Sequence, residues 1–380
     1  MWSSCGDFFA AEVYGCFVDD LLDDEARVVS DIYCQGKDKM KAVAYRQSRG
    51  LTVEDVQMPA AGDDFIVVKV ANTGFCGSDH SLIESGLLAD GTILGHETSG
   101  IVAEIGKKTE GLSEGMKIIT RPTFCGSCRE CRMGMPHLCS GGRRTIGIGD
   151  LPGGFAEYLK IYPQMAIPVP DGVDSQNAAL AEPFAVALHG IKTAGSTGGS
   201  VLVMGGGAIG LAAIKLLKIL GYGPIALSEP VEGKRKRGES FGADFLIAPL
   251  SENISVKCAE FTKGTGFETI LECSGIGENI SLAMELAAKG CRLCMISIMF
   301  KSIPIAQPMY MNFKEIRFTG AYSNTHEENK TCLQWMAEKK LDARPLITDL
   351  ISLEELPDVY EKRIKTGEAI KVMLRIGDEF

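Results

Sequence analysis

A chain of 380 residues exceeds the roughly 250–300 residues at which one hydrophobic core stops growing, so two folded units are expected. With 45% hydrophobic residues, 23% charged residues and 44 glycines, the composition is that of a folded, loop-rich protein rather than a disordered or fibrous one. A formal net charge of −10 argues against a general nucleic-acid binder, and no apolar run approaches the roughly 18 residues that a membrane-spanning helix requires.

Residues 1–39 carry nine acids against three bases, without signal or transit character, and read as an acidic extension. Apolar pairs from Phe8/Phe9 to Leu21/Leu22 recur every four to five residues. They allow an amphipathic helix that docks on the body or on a partner subunit; a loose extension is the other reading. From Met40, β-branched runs such as FIVVKVANTG, SGIVAEIG and MKIITRP are separated by Gly, Pro and Asp, which predicts a mostly β unit over 40–189. SQNAALAEPFAVALHGIKTAG is predicted helical, with Pro183 tolerable near a helix start, and leads into the second unit. Beyond Ser200, strand-like SVLVMG, PIALSE, FLIAP, FETILECSG and GCRLCMISI alternate with helical AIGLAAIKLLKILG, KRKRGESFGA and ENISLAMELAAK. That alternation predicts an α/β unit over 190–330 with a doubly wound parallel sheet. Residues 331–380, with EENKTCLQWMAEKK as a helix and PLI and AIKVMLRI as strands, are expected to return to the first unit.

Gly205-x-Gly207-x-x-Gly210 follows the strand SVLVM and opens a helix, the context that makes this pattern a dinucleotide site. Gly205 permits the turn, Gly207 the approach of a pyrophosphate and Gly210 close helix packing. Ala208 and Ile209 lie at the helix start, whose free N–H groups suit phosphates. Glu229 ends the next strand, where an acid accepts the adenosine ribose hydroxyls and repels a 2′-phosphate, which favours NAD over NADP. Lys234 opens the basic run Lys234-Arg235-Lys236-Arg237, read either as an adenosine-end contact or as a solvated helix start. Cys273, ending FETILEC, is a further cofactor-binding candidate.

The 13 cysteines cannot all pair. Cys125-x2-Cys128-x2-Cys131-x7-Cys139 is the spacing of a closed, tetrahedral structural zinc, which points to a reducing, cytoplasmic compartment. A zinc-ribbon nucleic-acid module is disfavoured, because a paired knuckle and positive charge are missing. Cys76, His96, Glu97 and Glu182 are types that suit a catalytic zinc with an open position. Their spacing alone also fits a buried thiol, an ordinary histidine and a helix-start acid.

Taken in order, GFCGSDH, GHETSGIVAEIG, the four-cysteine loop, AEPFAVALHG and VLVMGGGAIGLAAIKLLKILG resemble the zinc-dependent medium-chain dehydrogenase/reductase family from about Met40 to Ile376. Glu182-Pro183 resembles its sorbitol, threonine and butanediol dehydrogenase branch. The resemblance implies a GroES-like, mostly β catalytic domain beside a Rossmann domain, and two zinc ions and NAD per chain. It implies Cys76 and His96 as catalytic-zinc ligands, Glu97 as a direct or alternating ligand, and Glu182 as a ligand, direct or through water. Ser78 is then the hydroxyl that bonds the substrate alcohol and begins a proton relay, with Asp79 orienting the loop. His80 stands one residue before the family's relay histidine, and is either a relay member or out of register. Ala321 replaces the arginine that polyol enzymes carry before Tyr322, while Asn324 and Thr325 are kept. The implied substrate is a small secondary alcohol, polyol or ketone, and the implied assembly a homodimer or homotetramer. Reduction of a carbonyl or activated double bond is the alternative chemistry, and a non-catalytic binding protein the remote one. Leu87, Leu88, Phe155, Phe300, Met309 and Tyr322 are read as pocket-lining or core.

Overall fold

The computed structural model describes residues 38–147, 151–195, 198–299, 302–303 and 305–380. The helix expected within the acidic extension, and Phe300, lie outside the described residues. Strands β1 (Lys39–Arg46) and β2 (Gly50–Gln57) form an antiparallel pair that enters the body. Five further strands follow: β3 (Ile66–Gly74), β4 (Glu97–Ile105), β5 (Lys117–Thr120), β6 (Tyr158–Ile161) and β7 (Ala166–Pro168). β3 is buried on both faces along nearly its whole length, apolar apart from Lys69, Asn72 and Thr73, and lies centrally, paired with β4 and β6.

The next six strands build a separate sheet: β8 (Val201–Met204), β9 (Ile225–Ser228), β10 (Phe245–Ile247), β11 (Phe267–Glu272), β12 (Ala287–Met295) and β13 (Arg317–Gly320). Their order is β10-β9-β8-β11-β12-β13, with every pair parallel. The order reverses between β8 and β11, and that reversal leaves a crevice beyond their carboxyl ends. The chain then returns to the first sheet with β14 (Asp349–Ile351) and β15 (Val372–Arg375), where β15 pairs antiparallel with β3.

The helix Ala181–Ala194 packs on β4 of the first sheet and on β12 of the second, and also against the helices Ala208–Ile219 and His326–Ala337. Ten of its fourteen residues are buried, which explains its almost uninterrupted small and apolar sequence. Pro183 occupies its first turn, where a missing N–H leaves no intrahelical bond unmade.

Two elements differ from expectation. PLI is a single 3-10 turn, Arg344–Leu346, because Pro345 has no N–H for a ladder, and the strand forms later, at Asp349–Ile351. The helix of ENISLAMELAAK ends at Leu286, and the following alanines open β12.

Candidate active site

Topology brings the dispersed cluster together. β3 and β4 are antiparallel neighbours, so the end of one faces the start of the other, and Gly74 pairs with Glu97. Cys76 lies two residues past β3, and His96 immediately precedes β4. The Cys76 sulfur, a His96 ring nitrogen and a Glu97 oxygen lie within 4.8 Å of one another. Gly74 makes room for this: a Cβ there would lie 2.0 Å from Glu97 Oε2.

Asp79, wholly buried, holds two of the three. Its Oδ2 accepts the Cys76 N–H at 2.9 Å, and its Oδ1 lies 3.4 Å from His96 Nδ1. His96 Nδ1 is thereby turned toward a carboxylate, the arrangement that leaves Nε2 for a metal and raises the basicity of the ring. Burial opposes a charge on His96, but Asp79 and Cys76 together push its pKa well above the ordinary value. Thr120 Oγ1 donates to the His96 carbonyl at 3.4 Å and secures its backbone.

Glu97 is fully buried, and Lys371 Nζ lies 2.7 Å from both of its oxygens. The same ammonium donates to the Phe75 carbonyl at 3.0 Å. Burial alone would lower the Lys371 pKa, yet Glu97, with Cys76 beyond it, holds it above its usual value. Sequence reasoning missed Lys371. The available signal was a lysine inside the apolar run AIKVML, since a lysine is almost never buried unless paired.

Glu182 stands beside the cluster but outside the tight trio. Asn324 Nδ2 donates to its Oε1 at 2.8 Å, and Asn324 Oδ1 accepts from Asn329 Nδ2 at 2.7 Å, which fixes the amide's orientation. Burial pushes the Glu182 carboxyl up to about 6, with His96 opposing and Glu97 adding to the rise.

Ser78 and His80 share the helix Gly77–Ser85, and residues two apart on a helix do not face each other. The Ser78 hydroxyl has no partner among the described residues. His80 points elsewhere: its Nδ1 lies 3.2 Å from the Tyr360 hydroxyl, which donates to Glu84 Oε1 at 3.1 Å. The structure therefore does not join His80 to Ser78. Phe155 and Leu88 are core residues, Phe155 lying 5.7 Å from Phe75 in a stacked pair, whereas Leu87, Met309 and Tyr322 are exposed.

The four-cysteine loop closes on itself. All four sulfurs lie within 4.8 Å of one another, with Cys125–Cys131 at 4.0 Å and Cys128–Cys139 at 3.8 Å. A tetrahedron with Zn–S near 2.3 Å has edges of about 3.8 Å, so the donor set and its spacing fit zinc. Backbone N–H groups of Ser127 and Cys128 reach the Cys125 sulfur at 3.4 and 3.2 Å and lower its pKa to about 6.

At the crevice of the parallel sheet, Gly205 has φ of 102° and Gly210 lies so close to the turn that a Cβ would come within 1.9 Å of the Gly205 carbonyl oxygen. A Cβ on Gly207 would meet nothing within 4 Å, leaving open space at the start of the helix that Ala208 and Ile209 begin. Glu229 borders this turn, its Oε2 accepting the Gly206 N–H at 2.7 Å and its Oε1 the Val231 N–H at 2.9 Å. Lys234 and Arg235 follow on the helix Glu232–Phe241, and Arg235 donates to the Glu229 carbonyl at 2.7 Å. Cys273 donates its N–H to the Met204 carbonyl at 2.9 Å, next to the turn, and burial raises its thiol well above the ordinary value.

Residues 62–171 match the model of the alcohol dehydrogenase GroES-like domain, and residues 208–338 that of the zinc-binding dehydrogenases. A sorbitol dehydrogenase of Halalkalibacterium halodurans is 32% identical, over 88% of this chain and 99% of its own length. The chain belongs to the zinc-dependent medium-chain dehydrogenase/reductase family. Its fold is accordingly a GroES-like domain joined to a Rossmann-type parallel sheet. An L-threonine 3-dehydrogenase of Yersinia enterocolitica is 29% identical over 88% of this chain and 99% of its own. Among solved structures, a protein of Sinorhizobium meliloti assigned as a zinc-binding dehydrogenase and bound to NADP superposes with a TM-score of 0.82 at 29% identity, covering 89% of this chain and 100% of that one. The alcohol dehydrogenase TADH of Thermus sp. ATN1 gives 0.80 at 27% identity, with 89% and 100% covered. Among the described residues, no helix is long and apolar enough to cross a membrane.

Proposed function

We propose that this chain is a zinc- and NAD-dependent dehydrogenase that interconverts a small secondary alcohol or polyol with its ketone. The observation that carries the reading is the convergence of Cys76, His96 and Glu97 within 4.8 Å at the facing ends of two strands. Zinc held by Cys76, His96 and the Glu97 or Glu182 carboxylate supplies Lewis acidity toward an alcohol oxygen, and a dinucleotide on the glycine turn supplies a hydride acceptor.

The protein's own groups do the rest. Asp79 aims His96, and Lys371 neutralises Glu97, so that the buried site does not carry two uncompensated carboxylates. Ser78, whose hydroxyl has no partner among the described residues, bonds the alcohol and takes up its proton while releasing its own hydroxyl proton toward solvent. The N–H groups at the start of the helix Ala208–Ile219 bind the pyrophosphate. Each Glu229 oxygen accepts one N–H and keeps a lone pair for a ribose hydroxyl, which favours NAD over NADP. Lys234 and Cys273 border the cofactor. Cys125, Cys128, Cys131 and Cys139 hold a second, structural zinc. His80 is assigned no relay role.

The sheet memberships support unit boundaries near residues 190 and 330, with 331–380 returning to the catalytic unit, and the acidic composition of residues 1–39 supports a separate extension. Among the described residues no cysteine is paired in a disulfide, which favours the cytoplasm. A homodimer or homotetramer is the assembly proposed.

The test is a spectrophotometric screen of NAD⁺ and NADP⁺ reduction across secondary alcohols, diols, polyols and hydroxy acids, with zinc analysis of the same protein. The expected result is turnover with NAD⁺ and about two zinc ions per chain. No turnover with any alcohol, together with less than one zinc, would sink the reading.

A further inference from the structure

The four-cysteine loop is not isolated from the dispersed cluster. Just past Cys139, Arg143 Nη1 donates to the Tyr322 hydroxyl at 2.7 Å and Nη2 to Ser323 Oγ at 2.9 Å, with the guanidinium 5.1 Å from the Tyr322 ring centroid. Within the loop, the His137 ring meets the His189 ring edge-on at 4.4 Å between centroids. Both contacts land on one closed circuit. His189 lies two turns along the helix from Glu182, on the same face and about 10 Å away. His189 Nδ1 lies 3.1 Å from Glu328 Oε1, and Glu328 Oε2 accepts the N–H of Thr325 at 2.7 Å. Thr325 follows Asn324, whose amide donates to Glu182 at 2.8 Å. The turn 322–325 is therefore held from behind by helix capping and from the side by Arg143.

We infer that Arg143 is a positioning residue: it clasps the 322–325 turn so that Asn324 keeps Glu182 in place, and so, with His137 packed on His189 at the other side of the circuit, couples the four-cysteine loop to the second zinc site. Arg143 is not itself among the proposed zinc ligands. It acts through Tyr322 and Ser323, one residue from Asn324. The inference rests on the reading of Cys76, His96, Glu97 and Glu182 as a zinc site.

The test is a double-mutant cycle on Arg143→Met and Asn324→Ala, two positions without a contact to each other. The readout is the rate at which a colorimetric chelator removes the more labile zinc, so no substrate is needed. Loss of a group that orients a ligand typically weakens metal binding 10- to 100-fold. Asn324→Ala should speed zinc release about 10-fold, Arg143→Met about 3- to 10-fold, and the double variant no more than Asn324→Ala alone, because both break the same linkage. The slowly released zinc should be unaffected in all three. If Arg143→Met fails to fold, Tyr322→Phe removes one acceptor and carries the same comparison. Multiplicative effects in the double variant, or an unchanged release rate in Arg143→Met, overturn the coupling. A wild-type protein holding a single zinc overturns the dispersed zinc site and the coupling with it.

Discussion

The four-cysteine loop and the Cys76–His96–Glu97 cluster offer comparable ligand numbers and are built in opposite ways. The loop spans fifteen residues, donates only sulfur, and carries backbone N–H groups on its thiols. The dispersed cluster draws on a helix start and the start of a strand, mixes sulfur, nitrogen and oxygen, and brings its own counter-ion from Lys371, 274 residues from Glu97. A closed all-sulfur cage leaves no position for a substrate, so its use is local structure. On the proposed reading the mixed cluster would leave one open, and it would then have to balance buried charge that four thiolates would share with a structural zinc. The proposed chemistry thus falls at the cluster that buries a charged pair, Glu97 with Lys371.

That contrast can be broken first at its counter-ion. Lys371→Met leaves Glu97 buried without its partner and should lower stability by about 3–5 kcal/mol in denaturant unfolding. Adding Glu97→Gln to it should recover part of the loss. A destabilisation under about 1 kcal/mol would mean that the pair is hydrated and that the cluster is less enclosed than the 0% exposure of Glu97 indicates. Next, Ser78→Ala should lower kcat about 100- to 10,000-fold at unchanged zinc content, the range for loss of a positioned proton-transfer group.

The circuit beside the cluster gives a smaller, pH-dependent effect. Burial opposes ionisation of Glu328, but His189 and Thr325 hold its carboxyl down at about 2, against an ordinary 4.5. A depressed carboxyl contributes stability that is fully present above its unfolded value and is lost as the pH falls from about 4.5 through about 2. Glu328→Gln should therefore cost up to about 3 kcal/mol at neutral pH, and the difference from wild type should shrink in acid over that window. A pH-independent difference would place the effect in packing instead. Smallest of all, His80→Ala should change kcat by less than about 3-fold, because its ring faces Tyr360 and Glu84 rather than Ser78. A loss comparable to that of Ser78→Ala would return His80 to the relay.

The two regions also differ in how far they could be read from the chain. The cysteine loop is a local object, and its spacing alone defines it. The glycine turn is equally local, since strand, turn and helix are contiguous. For the dispersed cluster, Cys76, His96 and Glu97 became a set only through family resemblance, because which strand ends face each other is a matter of topology. Lys371 and Arg143 escaped for the same reason: each matters through a partner about 180 to 270 residues away. His80 shows the limit of counting positions. An extended segment would have carried it to one face and a helix carries it to another, and only the observed helix decides. PLI failed as a strand because Pro345 breaks the ladder, a local rule that the β-like composition outweighed in the reading.

On the proposed reading, chemistry belongs to the dispersed site and structure to the closed one. The measurement that tests it most directly is NAD⁺ reduction by one accepted secondary alcohol, comparing wild type with Cys76→Ser at known zinc content. The prediction is that Cys76→Ser loses turnover by at least about 1000-fold, the scale of losing the Lewis acid, while keeping one zinc and its fold. Turnover within a few-fold of wild type, with Cys76 gone, would contradict it.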